Sequence, residues 1–186
     1  MNPTLLNNCI LRSIFYWFAT VSLVVMGWKA KGKMPDIDKF ILIAAPHSSN
    51  WDFVFFLLVI FKYKIPVHWM AKHTMFKWPF KWLLKKLGGI PIDRSKKSDI
   101  VQSMTESFIR SKKLIVTIAP SGTREKVTKW KTGFYHIARQ AKVSIVCGFI
   151  DYKQKTIGIG PVIYPSGDIE ADMRPIKAFY ANFTGR

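Results

Sequence analysis

A histidine and an aspartate five residues apart, His47 and Asp52, are the pair of this chain best suited to catalysis. An imidazole titrates at about pH 6.5, so it can accept a proton at neutral pH when a carboxylate fixes its tautomer. On one continuous helix the two side chains would lie about 140° apart and could not meet. They can meet if His47 lies in a loop and Asp52 lies in the first helical turn that follows. Such a pair is a general base and its orienting group, and it would activate a hydroxyl.

The segments on either side of this pair favour that placement. Residues 40–45 (FILIAA) form an apolar run typical of a buried strand, and residues 51–61 form an apolar helix. The residues available to cap this helix are Ser48, Ser49 and Asn50. A plainer interpretation stays open, in which His47 is a turn residue and Asp52 only complements the helix dipole.

Two further polar segments follow apolar strands. Residues 88–94 (GGIPIDR) end in Arg94, whose guanidinium is suited to bidentate binding of a phosphate. In residues 119–124 (APSGTR) small side chains leave backbone N–H groups accessible to an anion, and Arg124 adds a positive charge. Each segment alone is equally compatible with an ordinary turn that carries a solvated arginine.

The remaining pattern alternates strands with helices. The predicted strands are 40–45, 66–71, 90–92, 114–119, 143–150 and 156–163. The predicted helices are 13–28, 51–61, 76–87, 98–111, 132–140 and 169–183, with a possible interruption at Pro175. This alternation predicts a single α/β domain with a mixed, mostly parallel sheet that helices flank.

The first helix is set apart by its composition. Residues 13–28 carry no charge and are rich in aromatics, yet a helix of that length spans about 24 Å, short of the roughly 30 Å hydrocarbon core of a membrane. We expect a membrane-docking helix with its linker in residues 1–33 and the main domain in residues 34–186. A tilted span and a buried core helix are the alternatives.

The charge of the chain indicates an anionic partner. The sequence contains 29 Lys and Arg against 11 Asp and Glu, a net charge of +18, and aromatics make up 15% of it. Charge combined with apolar surface favours an anionic membrane over nucleic acid, for which the sequence has no recognised motif. A basic stripe between aromatic residues fits such a surface and consists of Lys77, Lys81, Lys85 and Lys86; a solvated helix face is the alternative. The cysteines and histidines show no metal-ligand spacing, so we expect no metal.

Taken together, the three polar segments resemble the signatures of the glycerolipid acyltransferase family, which includes the 1-acyl-sn-glycerol-3-phosphate acyltransferases. That family has a His-x-x-x-x-Asp block, a Gly-x-x-x-x-Arg block and a Pro-Glu-Gly-Thr-Arg block. The corresponding residues here are 47–52, 89–94 and 120–124. The resemblance extends over about residues 40–161.

The resemblance implies that the chain transfers an acyl group from acyl-CoA or acyl carrier protein to a lysophospholipid, with no other cofactor. His47 would take the proton of the acceptor hydroxyl, and Asp52 would orient His47. The acceptor and its phosphate would be bound by Arg94, Ser121, Gly122, Thr123 and Arg124. It also implies a membrane-associated enzyme at the cytoplasmic face of the inner membrane.

The third block departs from the family pattern at one position. Ser121 stands where the family usually has a glutamate that helps to place the acceptor. A hydroxyl can donate or accept a hydrogen bond but cannot replace a carboxylate. We therefore expect the reaction type to be retained with a lysophosphatidate-like lysophospholipid as acceptor, which need not be lysophosphatidate itself. The alternative function is a catalytically degenerate protein that binds anionic lipids.

Overall fold

The computed structural model describes residues 4–93, 95, 97–123 and 130–185. Within these residues seven strands form one sheet in the order β1-β7-β6-β2-β5-β3-β4. The strands are β1 Lys29–Lys31, β2 Lys39–Ala45, β3 Val67–Lys72, β4 Gly89–Ile92, β5 Leu114–Ile118, β6 Ser144–Asp151 and β7 Thr156–Ile163. All neighbours are parallel except the antiparallel pair β6 and β7. The predicted mixed, mostly parallel α/β sheet is confirmed.

Helices cover both faces of this sheet. They are α1 Cys9–Val25, α2 Trp51–Lys62, α3 Lys81–Lys86, α4 Lys97–Arg110, α5 Gly133–Ala141 and α6 Ile169–Tyr180. Alternate residues of a strand point to opposite faces, and the core follows this rule in β2. Ile41 and Ile43 pack in a cluster with residues of α4, α5 and α6, whereas Phe40 and Leu42 lie on the opposite face with Val146.

The helix predicted for residues 76–87 is wrong in its extent. A short 3₁₀ turn spans His73–Met75, and the α-helix begins only at Lys81. The reason is Pro79, which lacks an N–H donor and disfavours the helical conformation of the residue before it. Pro175, in contrast, lies inside α6 and does not end it.

The N-terminal helix is shifted relative to its prediction and is followed by a strand that the sequence did not indicate. Asn8 caps α1 with a side chain that accepts the N–H groups of Ile10 and Leu11. After Gly27, which has a positive φ of 71°, β1 pairs in parallel with β7. All three residues of β1 are exposed, so no apolar pattern marks this strand.

Candidate active site

The polar segments follow three adjacent parallel strands, β5, β2 and β6, and lie at one edge of the sheet. β2 lies between β5 and β6, and the carboxyl ends of parallel strands meet at the same edge. His47 follows β2, residues 120–123 follow β5, and Tyr152 follows β6. In open α/β sheets this edge is where ligands bind.

His47 and Asp52 are in contact. His47 lies in the loop before α2, Asp52 lies in the first turn of α2, and Nδ1 of His47 is 3.1 Å from Oδ2 of Asp52. The side chain of His47 is 30% exposed and that of Asp52 is 7% exposed. A buried carboxylate therefore supports an imidazole whose ring still reaches the solvent side, as a general base and its orienter require.

Every oxygen of the Asp52 carboxylate accepts hydrogen bonds. The backbone N–H groups of Ser48 and Ser49 donate to Oδ2 over 2.6 and 2.8 Å, and the hydroxyl of Tyr152 donates to Oδ1 over 2.6 Å. Burial raises the pKa of Asp52, but the hydrogen bonds from His47, Tyr152 and the two N–H groups outweigh it and hold the pKa below its usual value. Asp52 is consequently a carboxylate at neutral pH. Of the residues expected to cap α2, the N-cap residue Asn50 makes no side-chain cap hydrogen bond, whereas Ser49 Oγ accepts the N–H of Trp51 over 3.2 Å.

A cavity of about 450 Å³ opens beside His47 and runs between α2 and the sheet. Its helical wall is the row Phe53, Phe56 and Val59, which lie three residues apart on one face of α2. Its strand wall includes Leu42 of β2 and Gly148 of β6, whose register partners are Val146 and Ala44. Gly148 adds no side chain to this wall, and a Cβ built there would lie 3.1 Å from Cδ1 of Leu42. The lining is predominantly apolar, and His47 and Asp52 stand at its polar end.

The third block lies partly at this cavity. Gly122 and Thr123 line the cavity, whereas the hydroxyl of Ser121 donates to the carbonyl of Thr123 over 2.7 Å. Gly122 has a positive φ of 66° and its N–H donates to Ala119, so this segment is a tight turn. The two predicted phosphate ligands, Arg94 and Arg124, lie outside the described residues.

Tyr152 is the site residue that sequence reasoning missed. It is 100 residues from Asp52, and no local motif joins the two positions. The available signal was its place directly after a predicted strand, at the same edge of the sheet as His47. Within the described part of the chain, no three histidine, cysteine or acidic residues come together as a metal site would require.

Exposed apolar side chains form two surfaces. The first is the outer face of α1: Ile10, Ile14, Trp17, Phe18, Val21, Val24 and Val25. The second, which we call the α3 surface, consists of Trp78, Phe80, Trp82 and Leu83. Leu6, just before α1, packs in the same cluster as Leu87, just after α3. In the described residues, no helix combines the length and the hydrophobicity needed to cross a bilayer.

The fold and the sequence both match known proteins. A family model described as Acyltransferase matches residues 30–150. A 1-acyl-sn-glycerol-3-phosphate acyltransferase from Streptococcus pneumoniae is 26% identical over 141 residues, which cover 72% of this chain and 53% of that protein. This chain thus spans about half the length of that relative. The crystal structure of the 1-acyl-sn-glycerophosphate acyltransferase PlsC from Thermotoga maritima shares the fold, with a TM-score of 0.66 and 17% identity over 95% of this chain and 81% of that one. Because the family match covers more than half of its residues, the chain belongs to the acyltransferase family.

Proposed function

We propose that this protein transfers a fatty acyl chain from an acyl thioester to the hydroxyl of a lysophospholipid. The observation that carries the proposal is the contact of His47 with a buried, ionised Asp52 at the mouth of an apolar cavity. His47 takes the proton from the acceptor hydroxyl through Nε2 as the hydroxyl oxygen attacks the thioester carbonyl. Asp52 holds the Nδ1 proton and offsets the positive charge that develops on the ring.

The cavity is suited to the acyl chain of the donor. Its volume falls in the usual range for small-molecule sites, which is about 300–1,000 Å³, and its walls are mainly aliphatic and aromatic. A chain inserted between α2 and the sheet would bring its thioester to His47. The same end would present the thiol leaving group, of CoA or of acyl carrier protein, to solvent.

The acceptor is proposed to be a phosphorylated lipid alcohol. The net charge of +18 favours an anionic substrate, and the relatives named above act on 1-acylglycerol phosphates. In this proposal Arg94 and Arg124 bind the phosphate, and the turn of Ser121, Gly122 and Thr123 shapes the entrance. Ser121 leaves the entrance without the carboxylate of the family pattern, which supports an acceptor other than lysophosphatidate.

The tetrahedral intermediate needs hydrogen-bond donors for its oxyanion. The N–H groups of Ser48 and Ser49 already donate to Asp52. The N–H of Gly122 likewise donates to the carbonyl of Ala119, so both turns stay candidates for the source of the donors, the one at residues 48–50 and the one at residues 120–123. The latter turn lies after β5, next to the strand that carries His47.

The protein is proposed to work on the surface of an anionic membrane, at the cytoplasmic face of the inner membrane. The outer face of α1 and the α3 surface expose aromatic and aliphatic side chains, and Lys77, Lys81, Lys85 and Lys86 are interleaved with the α3 surface. Aromatic rings at headgroup depth with lysines nearby are typical of interfacial binding. Residues 1–33 would then serve for docking and residues 34–186 for acyl transfer.

The proposal is tested with purified protein, a labelled acyl-CoA or acyl carrier protein thioester, and a panel of lysophospholipids in anionic vesicles. We expect a labelled diacyl phospholipid and a stoichiometric release of free thiol. If the protein binds the vesicles but yields no acylated product with any donor, the alternative function, an anionic-lipid-binding protein without turnover, is the correct one.

A further inference from the structure

The carboxylate of Asp52 has two different sides. Oδ2 faces His47 and the N–H groups of Ser48 and Ser49, all of which belong to the loop before α2 or to its first turn. Oδ1 accepts a hydrogen bond from a residue elsewhere in the chain, the hydroxyl of Tyr152. The two oxygens are thus distinguished by a residue that follows β6.

Tyr152 is itself held from two directions. Its backbone N–H donates to the carbonyl of Thr184 over 3.0 Å. Its ring meets the ring of Trp28 edge to face at 5.3 Å and that of Phe55 at 5.9 Å. A ring fixed in this way presents its hydroxyl at a defined point. Tyr152 is not among the described residues that line the cavity.

A partial rotation of the Asp52 carboxylate about its bond to Cβ would turn Oδ2 away from Nδ1 of His47. At a side chain that is 7% exposed, little water is available to replace a lost partner. A hydrogen bond to a charged group is stronger than one between neutral groups, so the hydroxyl of Tyr152 opposes this rotation and keeps Oδ2 toward Nδ1 of His47.

We propose that Tyr152 is a positioning residue for acyl transfer, which fixes the orientation of Asp52 and through it the tautomer of His47. The inference depends on the proposed function, in which His47 is the general base. Because Tyr152 acts through Asp52 and is not among the described residues that line the cavity, we expect its effect on the rate of the chemical step and not on substrate affinity.

The test compares Tyr152→Phe with a matched control, Tyr63→Phe. The Tyr63 hydroxyl donates to the carbonyls of Lys31 and Gly32, away from the site. We expect Tyr152→Phe to lower kcat by about 10- to 100-fold, the range for the loss of a hydrogen bond to a charged group, with KM for donor and acceptor unchanged. Tyr63→Phe should leave both constants unchanged.

The pH profile supplies a readout that a purely structural role would not move. The titratable side chains in contact with Asp52 in the described structure are His47 and Tyr152, and the Tyr152 hydrogen bond helps to lower the pKa of Asp52. In Tyr152→Phe the Asp52 carboxylate loses one hydrogen bond and interacts more strongly with the protonated His47 ring, so the loss of kcat on the acid side begins at a higher pH. Trp28→Phe alters the packing of the Tyr152 ring but retains the hydroxyl of Tyr152. In this variant the pH at which kcat falls on the acid side, the acid limb of the profile, should not change.

A spectroscopic measurement makes the inference testable without turnover. The ¹⁵N resonances of the His47 ring, assigned with His47→Gln, report which nitrogen carries the proton. We expect the Nδ1–H tautomer in the wild type and a mixture with the Nε2–H tautomer in Tyr152→Phe. If the wild type transfers no acyl group but the His47 tautomer still shifts in Tyr152→Phe, the proposed function fails and the positioning of Asp52 by Tyr152 stands. If the tautomer, kcat and acid limb of Tyr152→Phe match those of Tyr63→Phe, the inference is overturned.

Discussion

Replacing two exposed tryptophans tests whether the α3 surface docks on a membrane. Trp78 is 91% exposed and Trp82 is 66% exposed, so neither ring supports the core to a large extent. An aromatic side chain offers about 200 Å² of surface, and apolar burial contributes about 25 cal/mol per Å². If the membrane covers about half of what the two rings expose, they supply about 4 kcal/mol together.

Since each 1.4 kcal/mol or so is a tenfold change, Trp78→Ser with Trp82→Ser should weaken vesicle binding by several hundredfold. The assay is co-sedimentation with anionic vesicles over a range of lipid concentrations. The matched control is Tyr164→Ser, which removes an aromatic ring that is 70% exposed and follows β7 outside the α3 surface. The reasoning is refuted if the double variant binds like the wild type, or if Tyr164→Ser loses as much binding as the double variant.

Three further predictions concern the cavity, the acceptor and the stability of the site. In Gly148→Val the new side chain enters the cavity beside Leu42, whose Cδ1 would lie 3.1 Å from an added Cβ. Turnover of long-chain donors should therefore fall about fourfold or more for each methylene that is displaced, whereas turnover of short-chain donors should not change. An unchanged dependence of turnover on chain length would contradict the proposed acyl site. Ser121→Glu restores the family's carboxylate at the entrance and should raise the ratio of lysophosphatidate to other lysophospholipids as acceptors; identical ratios in a competition assay would show that this position does not select the acceptor. The lowered pKa of Asp52 stabilises the fold at a pH above its unfolded-state value of about 3.9, and this stability is lost as the pH falls through the lower folded-state value. Urea denaturation should therefore show the advantage of the wild type over Asp52→Asn shrinking once the pH falls below about 5 and continuing to shrink below the folded-state pKa; a constant difference would mean that the ionised carboxylate contributes nothing to stability.

Local spacing was enough to predict the contact between His47 and Asp52. Both residues lie within one loop and the first turn of the next helix, so their approach depends on a few backbone angles that the sequence indicates. The alternation of apolar strands and helices predicted the α/β sheet for the same reason, because each element carries its own pattern. The family resemblance rested on three such local blocks and is confirmed by the match over residues 30–150.

The parts that were missed depend on contacts between distant segments. The hydrogen bond from Tyr152 to Asp52 requires β6 to lie beside β2, and the sequence of neither segment indicates the order of the strands in the sheet. The cavity depends on Gly148, the register partner of Ala44, adding no side chain beside Leu42, which is again a property of pairing. The short α3, in contrast, was predictable, since Pro79 disfavours a helix that begins before it.

The most direct test of the account is the rate of acyl transfer by His47→Ala, measured with saturating labelled thioester and acceptor in anionic vesicles. We expect kcat to fall by about 10²- to 10⁴-fold, the usual contribution of a general base. Circular dichroism and vesicle binding should match the wild type, because the His47 ring is partly exposed and lies apart from the α3 surface. Transfer at the wild-type rate by a folded, vesicle-bound His47→Ala would contradict the assignment of His47 as the base and with it the proposed mechanism.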